Sequence, residues 1–331
     1  MDLFDAMDRD GVMAPYERLA RKALAAYGLE ECRLDFISDG LRVVCRASDR
    51  STKSSWSLHI HPRGYDPRSI LRSLHWLAAL RRETPARVPE PLLTRSGELV
   101  QSLSTPGISG FRQCTLIEWI DGQRLPIDDW SLNGTQSLGR LIARLHAHAE
   151  RFQLPPELDP PKVSVQAFEQ AVDPVALART LGPKDEGLLV AAFDSARKTM
   201  LEVGTGPEVA GLIHGRTAPE HILFDEEAVG LIGFGHCRWG HYASDVAAIA
   251  LCLRGTSNEA SLRTALLEGY REIRPGTECT VSPDLVAPFS ALRLLETLAE
   301  CAEEGAGEST DAAGRERTIQ RTLTRLRDLF A

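Results

Sequence analysis

The stretch LIHGRTAPEHILF (Leu212–Phe224) has the layout of a catalytic loop. An apolar pair runs into His214-Gly215, a proline follows at Pro219, and an apolar run carries the chain away. The side chains at the loop's working positions are Arg216 and His221. A guanidinium has no lone pair with which to take a proton, and it suits bidentate contact with carboxylate or phosphate. A neutral imidazole can ligate a soft metal. Three acids close by, Glu220, Asp225 and Glu226, could stand in for a missing carboxylate base. Their spacing around a turn fits solvated turn residues better.

A second cluster follows in HCRWGH, where His236, Cys237 and His241 share a short segment. With His214 and His221 they form a donor set that zinc would accept, so a metal-binding module is one expectation to carry. Asp245, just ahead of the apolar run Val246–Leu253, reads locally as a helix N-cap. Cysteines number 7 and are scattered, with no C-x-x-C pair, which fits reduced thiols in a cytoplasmic protein.

These residues need a scaffold of ordinary globular composition. The chain has 331 residues and 43% hydrophobic content, enough for one large or two ordinary cores. Its net charge of −8 argues against nucleic acid as the main partner, and no apolar run is long enough to span a membrane. The acidic start MDLFDAMDRDG lacks the apolar region of a signal peptide. Helical spacing marks Pro15–Gly28 and Pro67–Arg82, and strand-like runs mark Arg33–Ile37, Leu41–Ala47, Trp56–His61 and Gln113–Ile120. A polar hairpin is expected near Ser96-Gly97. Beyond the turn Asp121-Gly122 the pattern is mainly helical, at Ser137–Phe152, Glu186–Val203, Asp245–Leu253, Ser261–Glu272, Asp284–Glu303 and Ala312–Phe330. His221–Phe224 and Val229–Phe234 bracket a turn at Asp225–Glu227, as a hairpin would. The chain thus divides into a small β-rich part, residues 1–120, and a larger helical part, residues 121–331.

Motif order then carries a resemblance. WLAALRRETPARVPEPL (Trp76–Leu92), LIEWIDGQRL (Leu116–Leu125), LGRLIARLHAHAERFQLPP (Leu138–Pro156), LIHG, HILFD and the segment Phe234–Ala247 occur in sequence. Together they resemble the superfamily of aminoglycoside phosphotransferases, choline kinases and type II homoserine kinases, with bacterial stress-response kinases closest in pattern. The resemblance implies an α+β, two-lobed protein-kinase-like fold with a β-rich N-lobe and a mainly helical C-lobe. It also implies that Asp245 braces the loop through backbone N–H groups, that His146 packs beneath it, and that His214 and Gly215 keep its frame. The backbone at Glu118 and Ile120 would meet an adenine edge.

The departures fall on the chemistry. Where the family has H-G-D-x-x-x-x-N, the base position holds Arg216 and the metal-binding Asn position holds His221. The Asp expected to ligate Mg²⁺ is replaced by Gly233 in LIGF. The phosphate-holding Lys or Arg of the third strand aligns with His59, and its Glu partner with Ser73. A guanidinium about 4 Å from Mg²⁺ costs about 8 kcal/mol at an effective dielectric near 20. The expectation is therefore a pseudokinase without active catalytic residues, resident cofactor or metal site. Any ATP or anion would bind without Mg²⁺, and His59, Ser73, Glu118, Ile120 and Arg216 are the candidate ligand-binding residues. A protein partner or a small anionic ligand is expected, in a cytoplasmic setting. The alternative is an active phosphotransferase using non-standard residues.

Overall fold

The computed structural model describes residues 9–39, 42–159, 162–225, 228–277, 281–304 and 312–330. Gly40, Glu226 and Cys279 lie outside the described residues. The chain forms two compact units. One comprises Met1–Gly122, Gln153–Asp159 and Gly230–His236; the other comprises Gln123–Phe152, Pro160–Val229 and Cys237–Ala331.

The first unit opens with helix α1 (Arg9–Ala25) and strands β1 (Arg33–Asp39), β2 (Arg42–Ser48) and β3 (Ser55–Ile60). Helix α2 (Pro67–Glu83) and strands β4 (Gln101–Leu103) and β5 (Arg112–Glu118) follow. The strands form one antiparallel sheet in the order β1-β2-β3-β5-β4. Side chains alternate across it. Cys45, Ala47, Leu58, Ile60, Cys114 and Leu116 point to one face and pack with Leu19, Ala20, Ala23 and Leu24 of α1. Burial in this layer pushes the Cys45 and Cys114 thiols up to about 12, so neither supplies a thiolate at neutral pH. The opposite face carries His59, which pairs with Thr115 on β5 and Val44 on β2, and Ser57, which pairs with Ile117. Helix α2 starts where Asp66 accepts from the Arg68 and Ser69 amides ahead of Pro67, a standard N-cap with proline at the first position. It lays Ile70 and Leu74 on Ile117.

The second unit contains α3 (Leu132–Ala149), α4 (Val165–Ala171), α5 (Pro174–Leu181) and α6 (Glu186–Val203). Next come β6 (Ala210–Ile213), β7 (Ile222–Asp225), β8 (Ala228–Leu231), whose last two residues belong to the first unit, and β9 (Arg238–His241), then α7 (Tyr242–Leu253), α8 (Glu259–Ile273), α9 (Pro283–Glu304) and α10 (Ala312–Phe330). β6 pairs antiparallel with β9, and β7 with β8. Helices α3 and α8 cross at two glycines. A Cβ added at Gly139 would collide with the Leu266 carbonyl, and one at Gly269 with the Gln136 carbonyl. Arg327 on α10 grips the buried Asp185 with two nitrogens at 2.9–3.1 Å. Among the described residues no helix is long and apolar enough to cross a membrane.

Several boundaries differ from the sequence reading. Helix α1 begins at Arg9 and carries Pro15 inside it. Helix α3 begins at Leu132 rather than Ser137, because Ser131 caps it by accepting from the Gly134 amide. The strand expected to run to Phe234 stops at Leu231; Gly233 then takes a φ of 85°, which leads into a 3-10 turn at Phe234–His236. Helix α7 begins at Tyr242, so Asp245 lies within its first turn and is not its N-cap. Strands β4, β6 and β9 and helices α4 and α5 had no counterpart, each being too short to show a period.

Candidate functional site

The loop after β6 is built around one carboxylate. Asp245 is 2% exposed. Its Oδ2 accepts from the His214 amide at 2.8 Å and its Oδ1 from the Gly215 amide at 3.0 Å. Gly215 adopts a φ of 77°, a left-handed conformation that turns the chain at little cost only in glycine. Thr217 Oγ1 donates to the Asp245 carbonyl at 2.7 Å, so the loop is tied to α7 through both side chain and backbone. The Arg216 amide lies 3.3 Å from His214 Nδ1, which must then accept. His221, in the 3-10 turn Pro219–His221, places Nδ1 2.9 Å from the Arg216 carbonyl and donates to it. The His214 and His221 rings lie 5.6 Å apart, both buried, while Arg216 is exposed.

Beneath the loop runs a buried hydrogen-bonded chain. Arg274 Nη1 donates to the Tyr270 hydroxyl at 2.7 Å, and that oxygen is 2.8 Å from His146 Nδ1. His146 Nε2 is 3.2 Å from Asp245 Oδ2. Burial holds His146 below the ordinary imidazole value. A neutral ring satisfies the geometry: it accepts from Tyr270 at Nδ1 and donates to Asp245 at Nε2. Burial opposes ionisation of Asp245, yet hydrogen bonds from His146 and the His214 amide hold its carboxyl below the usual range. Arg274 also pairs with Glu150, donates to the Glu208 carbonyl and lies over the Tyr242 ring at 4.5 Å. Tyr270 and Arg274 were not anticipated from sequence. Contacts spanning more than a hundred residues leave no local trace.

In the first unit, His59, Ser73 and Gly233 line one pocket of about 540 Å³, solvent at its mouth included. These are the positions aligned with the phosphate-holding cation, its Glu partner and the Mg²⁺-binding Asp. His59 Nε2 is 3.0 Å from Ser57 Oγ, and Ser73 Oγ donates to the Ser69 carbonyl within its own helix. His61, two residues past His59 on the same face, joins the lining and had been overlooked, although H-x-H in a strand announces it. Glu118 ends β5. The ladder bonds from His61 to Gln113 and from Trp119 to Ser55 fix the phase, so both backbone groups of Glu118 turn away from β3. Its amide goes to the Glu90 carbonyl and its carboxylate to Arg81 at 3.2 Å. Ile120, two residues on, is half-buried.

Mg²⁺ requires hard oxygen ligands. The metal positions implied by the family resemblance hold an imidazole already bonded to a carbonyl and a glycine with no side chain, and the base position holds a cation. These residues do not fit the metal. Zinc fares no better: among the described residues no group of three or more His, Cys, Asp or Glu side chains is placed to hold a metal ion. His241 instead lies 2.8 Å from the Gly204 carbonyl through Nε2.

A model of the phosphotransferase enzyme family matches residues 36–279, well over half of the chain. The chain belongs to this family. Its fold is shared with a microcompartment-associated aminopropanol kinase at a TM-score of 0.73 and 22% identity, covering 94% of each chain. It is shared too with an amicoumacin kinase solved with AMP-PNP and Ca²⁺, at a TM-score of 0.72 and 16% identity, covering 97% of this chain and 96% of that one. A macrolide 2'-phosphotransferase from Brachybacterium faecium aligns at 0.57 and 18% identity, covering 93% and 97%. At these identities the likeness is one of fold. No curated protein sequence matches the chain.

Proposed function

We propose that this family member has abandoned phosphoryl transfer and acts as a binding or regulatory protein, with any nucleotide or other anion held without Mg²⁺. The observation that carries this reading is the contrast within one loop. The buried frame of Asp245, His214, Gly215 and His146 is fully hydrogen-bonded, while the base position is Arg216 and the metal position is His221. Phosphoryl transfer asks little of a protein beyond metal ions, charge neutralisation and an oriented hydroxyl. This loop offers a fixed positive charge where proton acceptance and cation binding are needed. A guanidinium can itself pair with phosphate oxygens, which makes a metal-free anion site chemically reasonable at Arg216. A protein partner reading the same surface is the other form this function would take.

Thermal-shift titrations with ATP, ADP and GTP, each in EDTA and in Mg²⁺, test the reading. Stabilisation by a nucleotide is expected to be the same in both buffers, or absent. Radiolabelled ATP offered with amino alcohols, homoserine, aminoglycosides and a generic protein substrate is expected to leave no label on any acceptor. Mg²⁺-dependent stabilisation together with label transfer would overturn the proposal.

A further inference from the structure

Helix α10 packs inward through Ile319, Leu323 and Leu326, and the grip of Arg327 on Asp185 fixes its last turns. Its outer face carries Arg317, Arg321 and Arg325, each four residues from the next, so the three stand one above another. Arg317 and Arg321 are exposed and Arg325 is half-buried. Elsewhere an acid sits one helical turn from an exposed cation: Glu17 beside Arg21, Glu202 beside Lys198, Glu259 beside Arg263. The stripe on α10 breaks this pattern. Among the described residues none of its three arginines forms an ion pair. Glu316 accepts instead from Gln320 at 2.8 Å, and Asp328 lies past the last arginine of the stripe. Burial pushes the Cys252 thiol on α7 up, Arg325 and Arg321 draw it down, and Glu220 pushes it up, so the stripe runs beside α7 with a single carboxylate set against two guanidiniums. Like charges at four-residue spacing repel. The helix thus holds a row of positive charge that its own folding does not favour.

We propose that the Arg317–Arg321–Arg325 face of α10 is a docking surface for a short acidic segment of a partner protein, with carboxylates at alternate positions of an extended chain. The fit is one of sign and spacing. Consecutive arginines are separated by about 6 Å of helix rise. Side chains on one face of an extended segment repeat at about 6.7 Å, so three alternate carboxylates meet three guanidiniums in register. Guanidinium also suits the partner, since it is weakly hydrated and can engage a carboxylate through two parallel N–H groups. A long polyanion such as nucleic acid would run off the stripe onto a chain whose net charge is −8, whereas a short acidic segment meets the stripe alone. The surface stands apart from Arg216, and the inference holds whether or not the loop keeps an anion.

Fluorescence anisotropy with three labelled probes makes the test: a (Glu-Ser) peptide of four repeats, its (Lys-Ser) counterpart, and an octauridylate. Each is titrated with the full chain at low salt. The (Glu-Ser) peptide is expected to bind, and the other two to bind at least about tenfold more weakly. Replacing Arg317, Arg321 and Arg325 together by Gln is expected to weaken the (Glu-Ser) peptide by about tenfold or more. The matched control replaces Arg63, Arg68 and Arg95, three exposed arginines of the first unit, and changes the net charge by the same amount. It is expected to leave the affinity within about twofold. Since the stripe is self-repelling, its triple variant should melt no lower than the wild type; Arg321→Glu alone is the second variant, expected to weaken the peptide by about threefold or more. No binding of the (Glu-Ser) peptide, equal losses in the two triple variants, an unchanged affinity in the stripe variants, or octauridylate binding as tightly as the peptide would each overturn the proposal.

Discussion

Gly269→Ala tests how closely α8 lies on α3, and through that contact how firmly the loop is held. A Cβ at 269 would overlap the Gln136 carbonyl oxygen and lie 2.8 Å from its carbon. Gly139→Ala meets the reverse obstacle, overlapping the Leu266 carbonyl oxygen and lying 2.9 Å from the Tyr270 amide nitrogen. In both cases the obstacle is helix backbone, which cannot swing aside as a side chain would, so the helices must part. Alanine gains about 1 kcal/mol of helix propensity over glycine. Overpacking costs about 1–3 kcal/mol, and a backbone obstacle belongs at the upper end. The net loss is then about 2 kcal/mol, a fall in Tm of about 3 °C for a chain this long. Parting the helices also stretches the 2.8 Å contact between Tyr270 and His146. Thermal and denaturant unfolding followed by circular dichroism measure the change. Gly187→Ala is the matched control, since it sits in the first turn of α6 with nothing within 4 Å of its added Cβ. It should be neutral or stabilised by up to about 1 kcal/mol. If Gly269→Ala is as stable as the wild type, or falls no further than Gly187→Ala, the inferred helix contact is wrong.

Two further outcomes follow from the buried network. Burial holds both His146 and His241 below the ordinary imidazole value, so the folded chain keeps them neutral, whereas the unfolded chain protonates each near pH 6.5. Stability should therefore be full above about pH 6.5 and fall below it by up to about 1.4 kcal/mol per pH unit for each ring, and a flat profile in denaturant unfolding between about pH 7 and 5 would contradict this. Asp245, whose folded carboxyl lies below its ordinary value, adds its own loss only below about pH 4. Asp245→Asn sets an amide N–H against one of two backbone donors and should cost about 3–5 kcal/mol, with faster hydrogen exchange at His214 and Gly215. Arg216→Ala, at an exposed position, should stay within about 0.5 kcal/mol of the wild type, and equal losses for these two variants would dissolve the distinction between frame and chemistry.

The sheet and the long helices were legible because burial imprints a period on them. β3 alternates Leu58 and Ile60 inward with Ser57 and His59 outward, and α3 carries a stripe through Leu138, Ile142, Leu145 and Ala149. Strands β6 and β9 were not legible: each has four residues, and what defines them is their mutual pairing. The loop was half legible. His214, Gly215 and Asp245 were recognisable by motif, but the supports beneath them were not. Tyr270 and Arg274 look like the polar end of an amphipathic helix until α8 is laid on α3.

That division has a physical origin. The groups that hold the loop are buried, and their polar atoms can be satisfied only by one another, so replacing any of them leaves a desolvated group without its partner. The groups at the chemical positions face the opposite situation. Arg216 is exposed, so its identity is only weakly coupled to folding. Gly233 needs only a backbone that accepts φ near 85°, a demand glycine meets at less cost than aspartate. Selection for stability thus protects the frame whatever is selected at the exposed chemical positions, so the two sets of residues can change independently.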